Sequence, residues 1–99
     1  MAILDDCKIA LRTTTTDAQL VARINLLIDS AKQDIILGDV HEGWVPSEPT
    51  DPIVKSAITC YVCWLYFNDI NTGESDKWLK SYDIHRNKLH NRSKYQEAP

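Results

Sequence analysis

Paired cysteines and histidines are the side chains of this sequence whose types and spacing could bind a metal ion. Cys60 and Cys63 form a C-x-x-C pair, and His85 and His90 follow it, a combination that can complete a tetrahedral zinc site. Zinc knuckles usually place the first pair on a tight turn, whereas this pair lies in an apolar stretch without glycine. We therefore interpret both cysteines as buried core residues, the usual environment of a free thiol, and expect neither a metal nor another cofactor.

The remaining polar residues do not form a recognisable catalytic set. Asp5 and Asp6 are adjacent, but consecutive helical residues point about 100° apart, so their carboxylates do not converge. His41 and Glu42 have no partner at a recognisable spacing. Phosphate-loop, nucleophile-elbow, H-E-x-x-H and dinucleotide-binding motifs are absent from the sequence. The sequence therefore predicts that the protein is not an enzyme.

A basic stretch near the C-terminal end is the one strong electrostatic feature. The chain carries a formal net charge of −3, yet Asp83 is the only acid between positions 77 and 94. The cations of this stretch are Lys77, Lys80, Arg86, Lys88, Arg92 and Lys94. Three interpretations fit it: a solvated helix face, docking on an acidic protein surface, or contact with the backbone of a nucleic acid.

Four segments with helical periodicity position these residues, and two of them precede a long loop at residues 39–50. Segment one covers residues 2–11, and the threonines at positions 13–16 stop it because β-branched hydroxyl side chains disfavour a helix. Thr16 and Gln19 fit a capping box for segment two. That segment is predicted to be a helix of about 20 residues with a single apolar stripe, and Gly38 ends it.

Segment three is apolar on all sides. Asp51 and Pro52 match the N-cap and first position of a helix that runs to about Phe67. Such a helix must be covered on every side, and four short helices are expected to cover one face or a face and a half. The remaining surface predicts a subunit interface, although the β-branched and aromatic residues also permit a buried strand. The connection at residues 39–50 is long enough to be functional or held by a partner.

Segment four follows a turn at residues 68–75, where Ser75 is expected to cap the helix. Residues 91–99 are predicted to form a C-terminal tail after a single helical domain at residues 1–90. Three glycines and four prolines in 99 residues argue against turn-rich all-β folds. We therefore expect an all-α fold, a small bundle of about four helices with a long loop between the second and the third.

The cysteine count, the first residues and the length of the apolar runs favour a protein in a reducing environment that does not span a membrane. A secreted domain of this size would normally pair an even number of cysteines, and this chain has three. Its first residues include acids where a signal peptide would have lysines. The longest nearly apolar run, residues 58–67, is too short to cross a bilayer. We expect no secretory signal and no membrane partner.

Nearly the whole chain resembles the small head–tail connector proteins of long-tailed bacteriophages, also called head-completion or adaptor proteins. The opening Met1–Arg12, followed by the threonine run, is similar to the start of that family. Leu27–Asp34 matches its second helix, and Asp51–Val62 matches its D-P-φ-φ-K-x-A-I helix. Lys88–Tyr95 is similar to its short-helix-then-tail ending.

This resemblance implies a structural virion protein rather than an enzyme. Family members assemble as a ring, usually twelve-fold, beneath the portal protein after DNA packaging. The ring extends the DNA channel and receives a stopper or tail-completion protein. The implied location is the virion neck, after assembly in the host cytoplasm, and the packaged DNA could contact the ring non-specifically.

Two groups of residues are predicted to make the contacts of such a ring. The subunit interface is expected to use aromatic side chains, which bury large areas at low conformational cost: Trp44, Trp64, Tyr66 and Phe67. The portal is expected to contact residues near the C-terminal end: Lys88, Asn91, Arg92, Lys94 and Tyr95. In the alternative interpretations, the aromatics are core residues, and the protein is a small cytoplasmic helical module that binds nucleic acid through residues 77–94.

Overall fold

Four α-helices and two short 3₁₀ helices account for the regular structure of residues 2–13 and 16–99, the part of the chain that the computed structural model describes. The α-helices are α1 (Ile3–Ala10), α2 (Ala18–Leu37), α3 (Pro52–Phe67) and α4 (Thr72–His90). No strand occurs within these residues. The predicted all-α bundle is thus confirmed, and no helix in the described part is long and apolar enough to span a membrane.

Local capping chemistry sets where three of the helices begin. Asp51 caps α3 as predicted, because its Oδ1 accepts hydrogen bonds from the backbone N–H groups of Ile53 (2.8 Å) and Val54 (3.1 Å). The N-cap of α2 is Asp17 rather than Thr16, since the Asp17 carboxylate accepts from two first-turn N–H groups at 2.9 and 3.0 Å. Of the threonines predicted to stop α1, Thr14 and Thr15 lie outside the described residues.

The start of α4 differs from the prediction. Its N-cap is Asn71, whose side-chain oxygen accepts from the N–H of Glu74 at 3.1 Å, so the helix begins at Thr72. The predicted cap, Ser75, lies inside the helix and is buried. Its hydroxyl donates instead to the carbonyl of Trp64 at 3.1 Å, which joins the first turn of α4 to the end of α3.

The helix α3 forms the centre of the bundle. It packs antiparallel to α4 and also contacts α2 and α1. From Ile53 to Phe67 every residue is buried or half-buried. Three helices of the same chain contact α3, and six of its residues are buried while the others in this range keep partial exposure. Its all-round apolar character does not by itself require a second subunit.

Both irregular segments pack onto this bundle. In the 39–50 connection, Val40 and Val45 are buried, and the side chain of Glu48 accepts from the N–H of Ile3 at 2.9 Å. In the C-terminal segment (residues 91–99), Tyr95 has a relative exposure of 1%. The two segments join where the N–H of His41 donates to the carbonyl of Tyr95 at 2.7 Å. The predicted tail is thus packed against the bundle, and Tyr95 belongs to the same hydrophobic core as the buried residues of 1–90.

Candidate functional site

The residues predicted to dock on a partner surround the end of α4. Lys88 lies in its last turn, and Asn91, Arg92 and Lys94 follow in the C-terminal segment. All four are exposed. We call them the C-terminal basic surface. Tyr95 is a correction to the predicted docking set, because its burial leaves it no surface to offer a partner.

Tyr95 anchors the C-terminal basic surface to the bundle. Its hydroxyl lies 3.0 and 3.2 Å from the two carboxylate oxygens of Asp51, the residue that also caps α3. Burial raises the pKa of the Tyr95 phenol, and the hydrogen bond to Asp51 raises it further, so the hydroxyl stays protonated and can donate. The ring packs edge-to-face on Trp44 with centroids 4.8 Å apart. Loop, helix and C-terminal segment therefore meet at one side chain.

Lys94 covers this anchor from the solvent side. Its Nζ lies 5.3 Å from the ring centroids of both Trp44 and Tyr95, within the range of a cation–π contact. The same atom is 4.0 Å from Asp51 Oδ2, while the Lys94 side chain remains 62% exposed. The ammonium can therefore contact a partner without leaving its position over the rings.

Half of the cations in the basic stretch already have an acidic partner within the described residues. Lys77 pairs with Glu74 at 3.6 Å, and Arg86 Nε lies 3.2 Å from Asp34 Oδ2. Lys94, paired with Asp51, is the third. Within the described residues, the other three cations of the stretch form no ion pair: Lys80, Lys88 and Arg92. Each pair lowers the net charge that these cations present to an anionic partner, whether a nucleic acid or an acidic protein surface.

The four aromatic residues predicted for a subunit interface do not form one patch. Trp44 lies near the start of α3, where its Nε1 donates to the carbonyl of Glu97 at 2.7 Å. Trp64, Tyr66 and Phe67 lie at the other end of this helix, about 20 Å away along its axis. Even there the contacts differ: Trp64 stacks on Tyr82 of α4, and the Arg23 guanidinium of α2 lies over Tyr66. Each of the four is half-buried by its own chain.

A polar cluster between α2 and α4 has only a weak signal in the sequence. The carboxylate of Asp34 accepts hydrogen bonds from the Tyr82 hydroxyl and from Arg86 Nε. Burial raises the pKa of Tyr82, and its hydrogen bond to Asp34 raises it further. The available signal is Arg86, a cation at helical spacing from the apolar residues Tyr82 and Leu89 of α4. The cluster joins the last third of α2 to α4 through these two hydrogen bonds.

Cys60 and His85 resemble a catalytic dyad by distance, but their hydrogen bonding does not activate the thiol. Cys60 Sγ lies 4.0 Å from His85 Nδ1. The same nitrogen is 2.7 Å from the carbonyl oxygen of Ser81, and since a carbonyl only accepts, Nδ1 carries the hydrogen. It therefore cannot take the thiol proton. Burial also raises the pKa of Cys60 to about 11, which keeps the thiol protonated near neutral pH.

The structure confirms that Cys60 and Cys63 are buried, as predicted. Burial raises the pKa of Cys63, and likewise of Cys7, to about 12. His90 packs against Gly38 and does not approach the cysteine pair. Within residues 2–13 and 16–99, no group of three or more His, Cys, Asp or Glu side chains could hold a metal ion.

Comparisons of the chain with protein-family models, curated proteins and solved structures gave no match. The all-α fold class rests on the helices of this chain itself. A function has to be inferred from its residues and their arrangement.

Proposed function

We propose that this protein is a structural head–tail connector of a long-tailed bacteriophage, which forms a ring beneath the portal and joins the head to a stopper or tail-completion protein. The proposal starts from the family-like sequence pattern that extends over nearly the whole chain. A small helical bundle in which α3 is central is compatible with it. The C-terminal basic surface is the observation that carries the proposal furthest.

This surface supports docking because it is exposed and also held in place. Lys88, Asn91 and Arg92 are exposed, and the Tyr95–Asp51 hydrogen bonds fix the backbone that carries them. A positioned cationic surface loses less conformational entropy on binding than a disordered tail would. We assign the portal-docking role to Lys88, Asn91, Arg92 and Lys94, with Tyr95 as a positioning residue.

Ring formation would use a different part of the surface. Contacts within a ring are heterologous, so a donor patch on one subunit meets a different acceptor patch on the next. Trp44 and the group Trp64, Tyr66 and Phe67 lie at opposite ends of α3 and retain partial exposure. We propose that they serve as two such separate patches.

Deleting the gene in its phage and imaging the particles tests the proposed function. We expect DNA-filled or leaking heads without tails, alongside free tails. Complementation with Lys88→Glu/Arg92→Glu should fail, because charge reversal repels an acidic partner surface. Complementation with the matched variant Lys77→Glu/Lys80→Glu should restore tailed particles, since those lysines lie about two to three turns before the C-terminal basic surface. Intact infectious virions from the deletion would refute the proposal.

A further inference from the structure

A cavity lies between α1, the first half of α3 and the middle of α4. Its volume is about 520 Å³, within the range of small-molecule binding pockets. Ser56, Thr59 and Cys60 line it from α3, and Trp78, Ser81 and His85 line it from α4. All six are buried or half-buried. The lining thus combines two ring systems with small side chains.

The small side chains explain why the cavity is open. Ser56, Thr59 and Ser81 occupy positions of α3 and α4 that line the space between these helices. The cavity is a groove open to solvent, and larger side chains at these positions would narrow it. Here the space remains unfilled by the chain itself, beside the indole of Trp78.

Hydrogen bonding inside the cavity selects for a donor on the ligand. His85 Nδ1 donates to the Ser81 carbonyl at 2.7 Å, so in the neutral imidazole Nε2 is the acceptor. Within the described residues Nε2 forms no hydrogen bond. The Thr59 hydroxyl already donates to the carbonyl of Lys55 at 2.9 Å. Because Nε2 faces an open groove, a bound molecule that supplies an N–H or O–H can donate to it.

Charge in the cavity favours a neutral ligand. The charged residues of its lining are Lys55 and Asp6, whose Nζ and Oδ2 atoms lie 3.6 Å apart. These two charges balance each other. The attraction of an anion to Lys55 would be offset by its repulsion from Asp6, and a cation would meet the opposite pair of interactions with the same balance.

We infer that this cavity binds a neutral heteroaromatic molecule of one or two rings that carries one N–H or O–H donor. The ring packs against Trp78, and the donor binds His85 Nε2. Ser56 and Ser81 hydroxyls accept or donate at the edge of the ring. This inference goes beyond the virion role and does not depend on it.

Titration with indole and 1-methylindole, followed by ¹H–¹⁵N NMR, tests the inference on the unmodified protein. Indole has an N–H donor, whereas 1-methylindole has almost the same shape without it. We expect saturable shifts for indole at the amides of Ser56, Trp78 and Ser81, and about tenfold weaker binding of 1-methylindole, as one hydrogen bond would give. Benzoate, an anion without a donor, should bind more weakly than indole.

Equal affinities of the two indoles, shifts that map to another part of the protein, or no saturable shift would overturn the inference. A variant then assigns the acceptor. His85→Phe keeps a ring in the cavity but removes Nε2, so it should abolish the preference for indole. The matched variant His41→Phe lies in the exposed part of the 39–50 connection and should retain the preference.

Discussion

Gly38 and His90 show how one missing side chain permits a contact between two helices. A Cβ atom added to Gly38 would lie 1.9 Å from two atoms of the His90 ring. The sequence pattern correctly predicts Gly38 as the end of α2. Its φ of −93° is open to any residue, however, so the close approach of His90 is what requires glycine there.

Gly38→Ala is expected to destabilise the protein by about 1–3 kcal/mol, because the His90 ring must move out of its packed position. Chemical denaturation monitored by circular dichroism measures the change. Gly73→Ala is the matched control, since its nearest heavy atom would be Asn71 Oδ1 at 3.5 Å and alanine favours the first turn of α4. Equal denaturation midpoints for Gly38→Ala and the wild type would contradict this explanation.

His90 should also make stability depend on pH. Its Nε2 is buried and has no hydrogen-bond partner within the described residues. Burial lowers the pKa of His90 below its ordinary value of 6.5, and the positive charge of Arg86 lowers it further. The unfolded chain therefore binds the proton more tightly than the folded one, and stability falls as the pH drops through about 6.5 and below.

We expect the free energy of unfolding to be lower at pH 5.5 than at pH 7.5, with a smaller difference in His90→Phe. Phenylalanine keeps a ring over Gly38 but does not titrate. Urea denaturation at several pH values gives the slope of the unfolding free energy against pH for the wild type and for His90→Phe. Titration of the carboxylates is common to both proteins and cancels in the comparison. If the two slopes coincide, His90 is not the titrating group.

At the scale of elements, Asp51 links the start of α3 to the C-terminal segment. One carboxylate caps the helix and accepts the Tyr95 hydroxyl, while its side chain is 11% exposed. Removing the phenolic donor leaves a poorly solvated carboxylate with one partner fewer. Such a loss costs more than that of an exposed hydrogen bond.

Tyr95→Phe is expected to destabilise the protein by about 1–3 kcal/mol and to speed amide hydrogen exchange in residues 91–99. Thermal denaturation and exchange measured by mass spectrometry provide the two readouts. Tyr66→Phe serves as the control, because the Tyr66 hydroxyl makes no hydrogen bond within the part of the chain described. Unchanged exchange in Tyr95→Phe would show that the ring and the two backbone carbonyl contacts hold the segment without the phenol.

Helix boundaries were predictable from the sequence where a single residue determines them. Asp51-Pro52 and Gly38 are strong local signals, and both bound helices as expected. The Thr16 prediction failed because Asp17 takes the N–H of Gln19, and the Ser75 prediction failed because Asn71 caps the helix four residues earlier. The anchoring by Tyr95 was not predictable, since one aromatic residue among polar neighbours produces no periodic pattern.

At the scale of the whole molecule, the electrostatic surface differs from what the sequence suggests. The sequence shows six cations in the basic stretch, but within the described residues the fold pairs Arg86 and Lys94 with acids far away in the sequence. Asp34 and Asp51 lie more than 40 positions from their partners. No local pattern could predict these pairs, and therefore the surface available to a partner depends on the tertiary fold.

Binding to duplex DNA, if measured, should show a shallow dependence on salt. Three unpaired cations predict a slope of log K against log salt near −2.7, whereas six would give about −5.4. Fluorescence anisotropy at several salt concentrations measures this slope, and Lys80→Ala/Lys88→Ala/Arg92→Ala should bring it near zero. A slope of about −5 in the wild type would favour the nucleic-acid-binding module over the connector.

The fastening of the 39–50 connection has a consequence for how the protein folds during synthesis. This loop is tied to Ile3 by Glu48 and to the C-terminal segment by His41, and Asp51 just after it binds Tyr95, a contact that spans 44 positions. A ribosome releases the chain from its N-terminal end, so α1, α2 and most of α3 can emerge and pack before residue 95 leaves the exit tunnel. Until then the loop lacks its hydrogen bonds to the C-terminal segment. The nascent protein thus exposes Trp44 and the Asp51 carboxylate together until residues 95–97 have emerged, and during that interval both are open to chaperones and proteases.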